Sequence, residues 1–200
     1  MNTHIEIPAR LEEWGNIAGY TLTPGSRSED GRAIFWASLG EIRLFIGWND
    51  RGWFVVKDSD RMGPEHFILA APSMDTIEKY FFGRFCQAIR RKRELPRLRI
   101  PVLREQLAPN FHIDIRDFEG VDRLTLISSD GAAVAVSSSD SVTGTAELVK
   151  LSFFLNVSID EIVASCLDQN GKPLFRERKP EASLSSAAPA WSSWSWIGAK

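Results

Sequence analysis

The sequence contains few of the residues that metal and redox sites require. Only two cysteines are present, Cys86 and Cys166, and they form no CxxC motif. Their apolar surroundings predict reduced thiols that pack as small core residues. The three histidines, His4, His66 and His112, lie in unrelated segments without the i, i+4 or CxxH spacing of metal sites. We therefore expect no bound metal and no cofactor.

Long apolar runs are also missing from the sequence. No uninterrupted apolar stretch approaches about 20 residues, the length of a helix that crosses a bilayer. Residues 1–10 contain polar and charged side chains, whereas a signal peptide needs an apolar segment at this position. These absences favour a cytoplasmic protein without a membrane partner.

Familiar catalytic motifs are absent as well. The sequence has no GxSxG elbow, no Walker loop and no GxGxxG after a strand, so nucleophilic catalysis and phosphate binding lack their usual backbone. The absence of these motifs predicts a protein that is not an enzyme. The net charge of -2 gives the whole chain no attraction to nucleic acid or anionic membranes.

The composition that remains is that of an ordinary globular chain. Hydrophobic residues make up 44% of the 200 residues and charged residues 25%, which is enough to build a core. We expect a single α+β domain at residues 1–176. Residues 177–200 are rich in Ser, Ala and Pro and predict a disordered tail. The sequence leaves the role of its three tryptophans open; they are Trp191, Trp194 and Trp196.

The first half of the domain, residues 10–95, has the pattern of an antiparallel β-meander followed by a helix. A short amphipathic helix is predicted at residues 8–17, with Gly19 after its end. Strands are predicted at 33–37, 41–48 and 53–57, with 66–70 as a candidate fourth strand. Leu39-Gly40 and residues 49–52 supply the turns between the first three strands. Connections this short force neighbouring strands to be antiparallel. Ser73 is a good N-cap for a long helix that reaches about Arg91.

The second half, residues 108–176, repeats this order. Strands are predicted at 111–115, 123–127 and 132–136, followed by a helix at 145–155. Ser158 and Glu161 form a capping box that opens a further helix, and an Asn170-Gly171 turn precedes a strand predicted at 173–175. The fold class is therefore α+β, with two β-meander halves that are each followed by a packed helix. The recurrence suggests a structural duplication.

One polar group near a strand end is a candidate pocket. Arg61, Glu65 and His66 lie close together in the sequence, and a pocket there would suit acid–base chemistry or ligand binding. The favoured interpretation is an ion pair between Arg61 and Glu65 that braces the loop before the long helix. A small enzyme or ligand-binding domain that uses this pocket is the alternative.

A basic segment offers a second alternative. Residues 84–104 contain eight Lys or Arg residues and one Glu, which is a pattern found on nucleic-acid-binding surfaces. Residues 90–93 also lie where the C-terminus of a helix attracts cations, and no RNP, KH or helix-turn-helix motif accompanies them. The helix-end interpretation is favoured, and no nucleic-acid partner is expected.

Several short motifs together resemble the immunity protein 61 family over residues 10–176. These motifs are Gly19-Tyr20, Ile34-Phe35-Trp36, Arg43 with Phe45-Ile46, Trp53-Phe54-Val55-Val56, Ser59 with Arg61, Glu65-His66-Phe67, Ala71-Pro72-Ser73, Glu78-Lys79-Tyr80 and Ile89-Arg90 with Leu95-Pro96. The resemblance implies a cytosolic antitoxin that binds, one to one, the toxin domain of a secreted polymorphic toxin. It further implies that this toxin is an NAD(P) glycohydrolase whose NAD-binding site is blocked.

A partner-binding surface is predicted from charge. The N-terminal helix and the polar loop at 23–32 carry acidic residues that would complement basic phosphate-binding residues in an NAD-cleaving toxin. The predicted partner-binding residues are Arg10, Glu12, Glu13, Arg27, Glu29 and Asp30.

Overall fold

Eight strands form one antiparallel sheet in the computed structural model, which describes residues 4–177. In their order across the sheet they are β1 (Thr21–Thr23), β2 (Ala33–Ala37), β3 (Ile42–Trp48), β4 (Phe54–Asp60), β5 (His66–Ala71), β9 (Ala133–Ser137), β8 (Val121–Ser128) and β7 (Phe111–Phe118). Two further short strands, β6 (Leu98–Arg99) and β10 (Arg176–Glu177), pair with each other.

Both predicted meanders are present, and they join into this one sheet. β5 ends the first meander and β9 ends the second, and the two strands pair antiparallel, with Leu69 opposite Ser137 and Ala70 opposite Val136. The strand order therefore runs outward from β5 and β9 in both directions. This order is compatible with the suspected duplication, which stays a prediction.

The described helices are α1 (Ala9–Ala18), α2 (Met74–Lys92), α3 (Ser141–Leu155) and α4 (Ile159–Leu167). Their ends follow the capping chemistry of the sequence. The Ser73 hydroxyl accepts a hydrogen bond from the Thr76 amide at the start of α2, and Ser158 and Glu161 form the predicted capping box of α4. Gly19 follows α1 with a left-handed φ of 97°. The predicted α+β class is confirmed.

Two details of the second half differ from the prediction. The helix predicted at 145–155 begins at Ser141, because the Asp140 carboxylate accepts a hydrogen bond from the Thr143 amide (2.6 Å) and caps an earlier turn. The strand predicted at 173–175 is wrong, because residues 172–174 form a turn. Pro173 has no amide hydrogen for a strand ladder, and strand pairing begins only at β10.

The main core lies between one face of the sheet and the helices. Aromatic rings join the layers: Phe81 and Phe85 of α2 lie 5.6 and 5.5 Å from Phe35 of β2, measured between ring centroids. Cys86 and Cys166 are both buried and unpaired in this core, as predicted. The hydrogen bond to Cys86 and burial together raise the pKa of the Cys166 thiol, which therefore stays protonated.

A fully buried arginine ties α4 to the end of α2. The Arg90 guanidinium donates hydrogen bonds to the carbonyls of Pro96 (2.6 Å), Cys166 (2.7 Å), Asp168 (2.6 Å) and Gln169 (2.9 Å). The last carbonyls of a helix have no donor within that helix. Arg90 supplies donors to the C-terminal end of α4 and so fixes α4 against α2.

The predicted tail at 177–200 lies outside the described residues apart from its first position, and Trp191, Trp194 and Trp196 lie outside them too. Within residues 4–177, no helix has both the length and the apolar character that crossing a bilayer requires.

Candidate partner-binding surface

The sheet has a second face, opposite the helices, which we call the open face. Side chains alternate between the two faces of a strand, so the residues between the core positions point to the open face. A small buried cluster lies there, and among the described residues only strands and loops contribute to it; its members are Val55, Ala70, Phe118 and Val136, with Trp53 and Phe67 packed against them. The open face is therefore apolar at its centre.

Cations and aromatic rings alternate across the open face. Phe45 of β3 lies opposite Lys57 of β4, which in turn lies opposite Phe67 of β5. Guanidinium groups lie near both rings: Arg43 is 5.5 Å from the centroid of Phe45, and Arg123 of β8 is 3.8 Å from that of Phe67. These distances are within the range of cation–π attraction. We call these five residues the cation–aromatic row.

Gly47, which has no side chain, leaves space for a further arginine beside the row. A Cβ atom on Gly47 would lie 2.9 Å from the Arg32 side chain, so the glycine leaves the space in which that side chain lies. The Arg32 guanidinium is 4.5 Å from the Phe45 ring centroid and donates to both Glu65 carboxylate oxygens (2.8 and 2.9 Å). It also donates to Asp30 at 2.6 Å. Phe45 is only 5% exposed under this cover.

The predicted ion pair between Arg61 and Glu65 is wrong. Arg61 lies in a tight turn after β4 with a φ of 48°, is exposed, and forms no ion pair with any described residue. Glu65 instead bonds Arg32 and lies 3.5 Å from the Lys57 ammonium. The hydrogen bond from Arg32 lowers the pKa of the Glu65 carboxyl group.

The alternative pocket is a wide recess beside Glu65. It has a volume of about 480 Å³, and its lining includes Arg43, Gly63 and Glu65 but not Arg61. A carboxylate that two cations hold in its ionised form is a weak general base. The geometry at this recess therefore gives the acid–base alternative little support.

The structure separates the six predicted partner-binding residues into two groups. Arg27, Glu29 and Asp30 line the recess at the border of the open face. The others belong to α1, in the helical layer; they are Arg10, Glu12 and Glu13. Arg10 is already engaged, since it donates two hydrogen bonds (2.9 and 2.8 Å) to the buried Glu78 carboxylate of α2.

The basic segment at 84–104 is partly structural. Arg90 caps α4, Arg84 donates to the buried Tyr80 hydroxyl (2.8 Å), and Arg104 donates to the Ile113 carbonyl (2.6 Å). The other basic residues of the segment are exposed; they are Arg91, Lys92, Arg93, Arg97 and Arg99. The predicted position of residues 90–93 at the end of a helix is confirmed.

Three buried hydrogen-bond donors at the open face have no acceptor among the described residues. They are Arg43 Nε, Arg123 Nε and Asn49 Nδ2. Asn49 lines a second recess of about 210 Å³ together with Phe45, Val55 and Lys57. Burial lowers the pKa of Arg123, a sign that its guanidinium is poorly solvated.

Sequence reasoning missed this surface. Arg32, Arg43 and Arg123 were not among the predicted partner-binding residues. The local signal was the spacing of Arg43 and Phe45, two residues apart on one face of a strand. Nothing local signals that Arg123 lies over Phe67, which is distant in the sequence.

Known proteins resemble this chain over most of its length. The family model for immunity protein 61 matches residues 14–174. The immunity factor for TNT of Mycobacterium tuberculosis and its homolog of Mycobacterium bovis are each 42% identical to the chain over 177 residues, which cover 88% of the chain and 96% of the relative. The solved structure of Rv3902c from M. tuberculosis matches with a TM-score of 0.81 and 40% identity, covering 88% of this chain and 98% of that one. The chain belongs to the immunity protein 61 family.

Proposed function

We propose that the protein is a cytoplasmic antitoxin that binds the toxin domain of a secreted polymorphic toxin one to one. The toxin is an NAD(P) glycohydrolase, and the bound antitoxin covers its NAD-binding site. The observation that carries this proposal is the near full-length similarity to a relative whose name is immunity factor for TNT. Inhibition by this protein needs no catalysis, no cofactor and no metal, and involves neither nucleic acid nor a membrane.

The open face has the composition of a surface that binds another protein. No group of three or more His, Cys, Asp or Glu residues within residues 4–177 is arranged to hold a metal. The open face combines aromatic rings with arginines, which are the residues enriched where proteins bind each other. A protein that protects its own cell needs only to occupy the toxin.

Co-purification and inhibition together test this proposal. The probe is the purified toxin domain of TNT, the toxin in the relative's name, and the readout is NAD cleavage by this domain. We expect a complex with the mass of one copy of each chain in light scattering, and complete inhibition when the two are equimolar. Failure of the wild-type protein to bind or inhibit this domain would refute the proposal.

Charge reversal tests the predicted contact residues. Glu12 and Glu13 on α1 are exposed and Glu29 borders the recess, so each is replaced by Lys without the loss of a described ion pair. We expect slower association and loss of protection in cells that express the toxin. Full protection by the triple variant removes these residues from the interface.

A further inference from the structure

The open face contains buried hydrogen-bond donors that lack acceptors, as an incomplete binding site would. Three of the four buried side-chain polar atoms without a partner among the described residues lie there, and all three are donors. A buried donor without an acceptor costs ~1–3 kcal/mol. The missing groups are therefore acceptors, and guanidinium donors bond most strongly to anionic oxygens, those of a carboxylate or a phosphate.

The two arginines are free to bind such a group. Arg32 and Lys57 already have Glu65 as a partner, whereas Arg43 and Arg123 form no ion pair with a described residue. The Arg43 side chain donates one hydrogen bond, to the Ser59 hydroxyl at 3.0 Å, and the Arg123 side chain donates none within residues 4–177. Cation–π contacts with Phe45 and Phe67 hold both guanidinium groups in place before a partner arrives, which reduces the entropy lost on binding.

The spacing of the row fits an extended segment of a partner chain. Phe45 and Phe67 lie on strands two positions apart in the sheet, with Lys57 between them. Neighbouring strands are ~4.8 Å apart, so the two rings are anchored ~10 Å apart. Three residues of an extended chain cover this distance, and acidic side chains at its two ends would reach both arginines.

From these contacts we infer that the cation–aromatic row binds an acidic segment of the toxin domain, whose carboxylates accept hydrogen bonds from Arg43 and Arg123. The inference rests on the proposed function and adds one contact surface on the open face. A phosphate backbone fits less well, because it carries a charge on every nucleotide and would be repelled along its length by Asp30, Glu65 and Glu119 at the same face. An acidic protein segment needs only the carboxylates that reach Arg43 and Arg123.

Arginine-to-glutamine variants test the inference. Arg123→Gln and Arg43→Gln each remove a guanidinium, and Arg97→Gln is the matched control, because Arg97 is exposed outside the row and undergoes the same change of charge. Binding to the purified toxin domain is measured by calorimetry at two salt concentrations. We expect each row variant to weaken binding at least tenfold, equivalent to ~1.4 kcal/mol, with a smaller salt dependence. We expect Arg97→Gln to bind like the wild type.

Thermal melting separates binding from folding. Arg123 makes no described side-chain hydrogen bond, so Arg123→Gln should melt close to the wild type, and it carries the test if Arg43→Gln is unstable. Arg123→Lys keeps the charge but loses the guanidinium geometry, and we expect it to restore only part of the affinity.

Three outcomes would overturn the inference. If all variants bind the toxin like the wild type, the row is not the interface, although the proposed function stands. If the wild type itself does not bind, the proposed function fails and the inference fails with it. The third outcome is that a single-stranded oligonucleotide binds the wild type, and that the row variants lose the oligonucleotide but still bind the toxin. The row would then be a polyanion site.

Discussion

Replacement of the buried Arg90 should destabilise the protein strongly. Arg90→Met keeps much of the apolar stem but removes the guanidinium donors from four carbonyls, those of Pro96, Cys166, Asp168 and Gln169. The Asp168 carbonyl keeps one donor, the Gly171 amide (3.1 Å). A hydrogen bond to a charged group contributes ~1.5–3 kcal/mol, but these four share one side chain and are not independent. The loss of one partner from a buried charged network typically costs ~3–5 kcal/mol, and the free energy of unfolding should fall by this amount.

The expected loss is large enough to measure by thermal melting. For a protein of this size, ~3–5 kcal/mol corresponds to a fall in Tm of roughly 6 to 20 °C. Amide hydrogen exchange should show α4 losing protection first, because Arg90 caps its C-terminal end. Arg90→Lys should recover part of the loss, since one ammonium supplies fewer donors over a shorter reach.

An exposed neighbour provides the control for Arg90. Arg91 lies on the same helix but is exposed, so Arg91→Met should change the free energy of unfolding by less than ~0.5 kcal/mol. The reasoning is refuted if Arg90→Met melts within about 2 °C of the wild type, because the four carbonyls would then find other partners at little cost.

Three further predictions concern packing, pH and capping. A Cβ at Gly83 of α2 would collide with the Phe154 ring of α3, so Gly83→Ala should lower stability by ~1–3 kcal/mol in denaturant melts; unchanged stability would show that the helices separate freely. Arg32 lowers the pKa of Glu65 below its ordinary value of 4.5, so this carboxylate adds stability above that pH and loses it as pH falls through the lowered pKa. Glu65→Gln should therefore destabilise more at about pH 7 than at a pH below the lowered pKa, and an equal effect at both would contradict the ion pair. Ser158→Ala removes the cap of α4 and should cost ~1 kcal/mol in the same melts, whereas no loss would mean that water replaces the cap.

Local chemistry explains what the sequence could predict. The caps at Ser73 and Ser158 and the end of α1 at Gly19 depend on contacts within a few residues, so their patterns are visible along the chain. The meanders follow from short turns between alternating segments. The class and the order of the elements were accessible for this reason.

Contacts between distant segments explain what was missed. The Glu65 carboxylate bonds Arg32, which is 33 residues away, rather than its sequence neighbour Arg61. Arg90 was expected only to lie at the end of a helix, yet its hydrogen bonds extend to residues 76 to 79 positions later. The cation–aromatic row exists only because β5 pairs with β9 and brings Arg123 over Phe67. No local pattern encodes that pairing.

The most direct test of the proposed occlusion is inhibition of the purified toxin domain at several NAD concentrations. If this protein covers the NAD-binding site, each tenfold rise in NAD within the saturating range should weaken apparent inhibition about tenfold, or ~1.4 kcal/mol. An inhibitor that binds elsewhere would show a dependence that levels off, because its coupling free energy to NAD is finite. Such a plateau would contradict occlusion of the NAD-binding site. Complete inhibition of NAD cleavage by about one molecule of this protein per ten molecules of toxin would contradict stoichiometric inhibition.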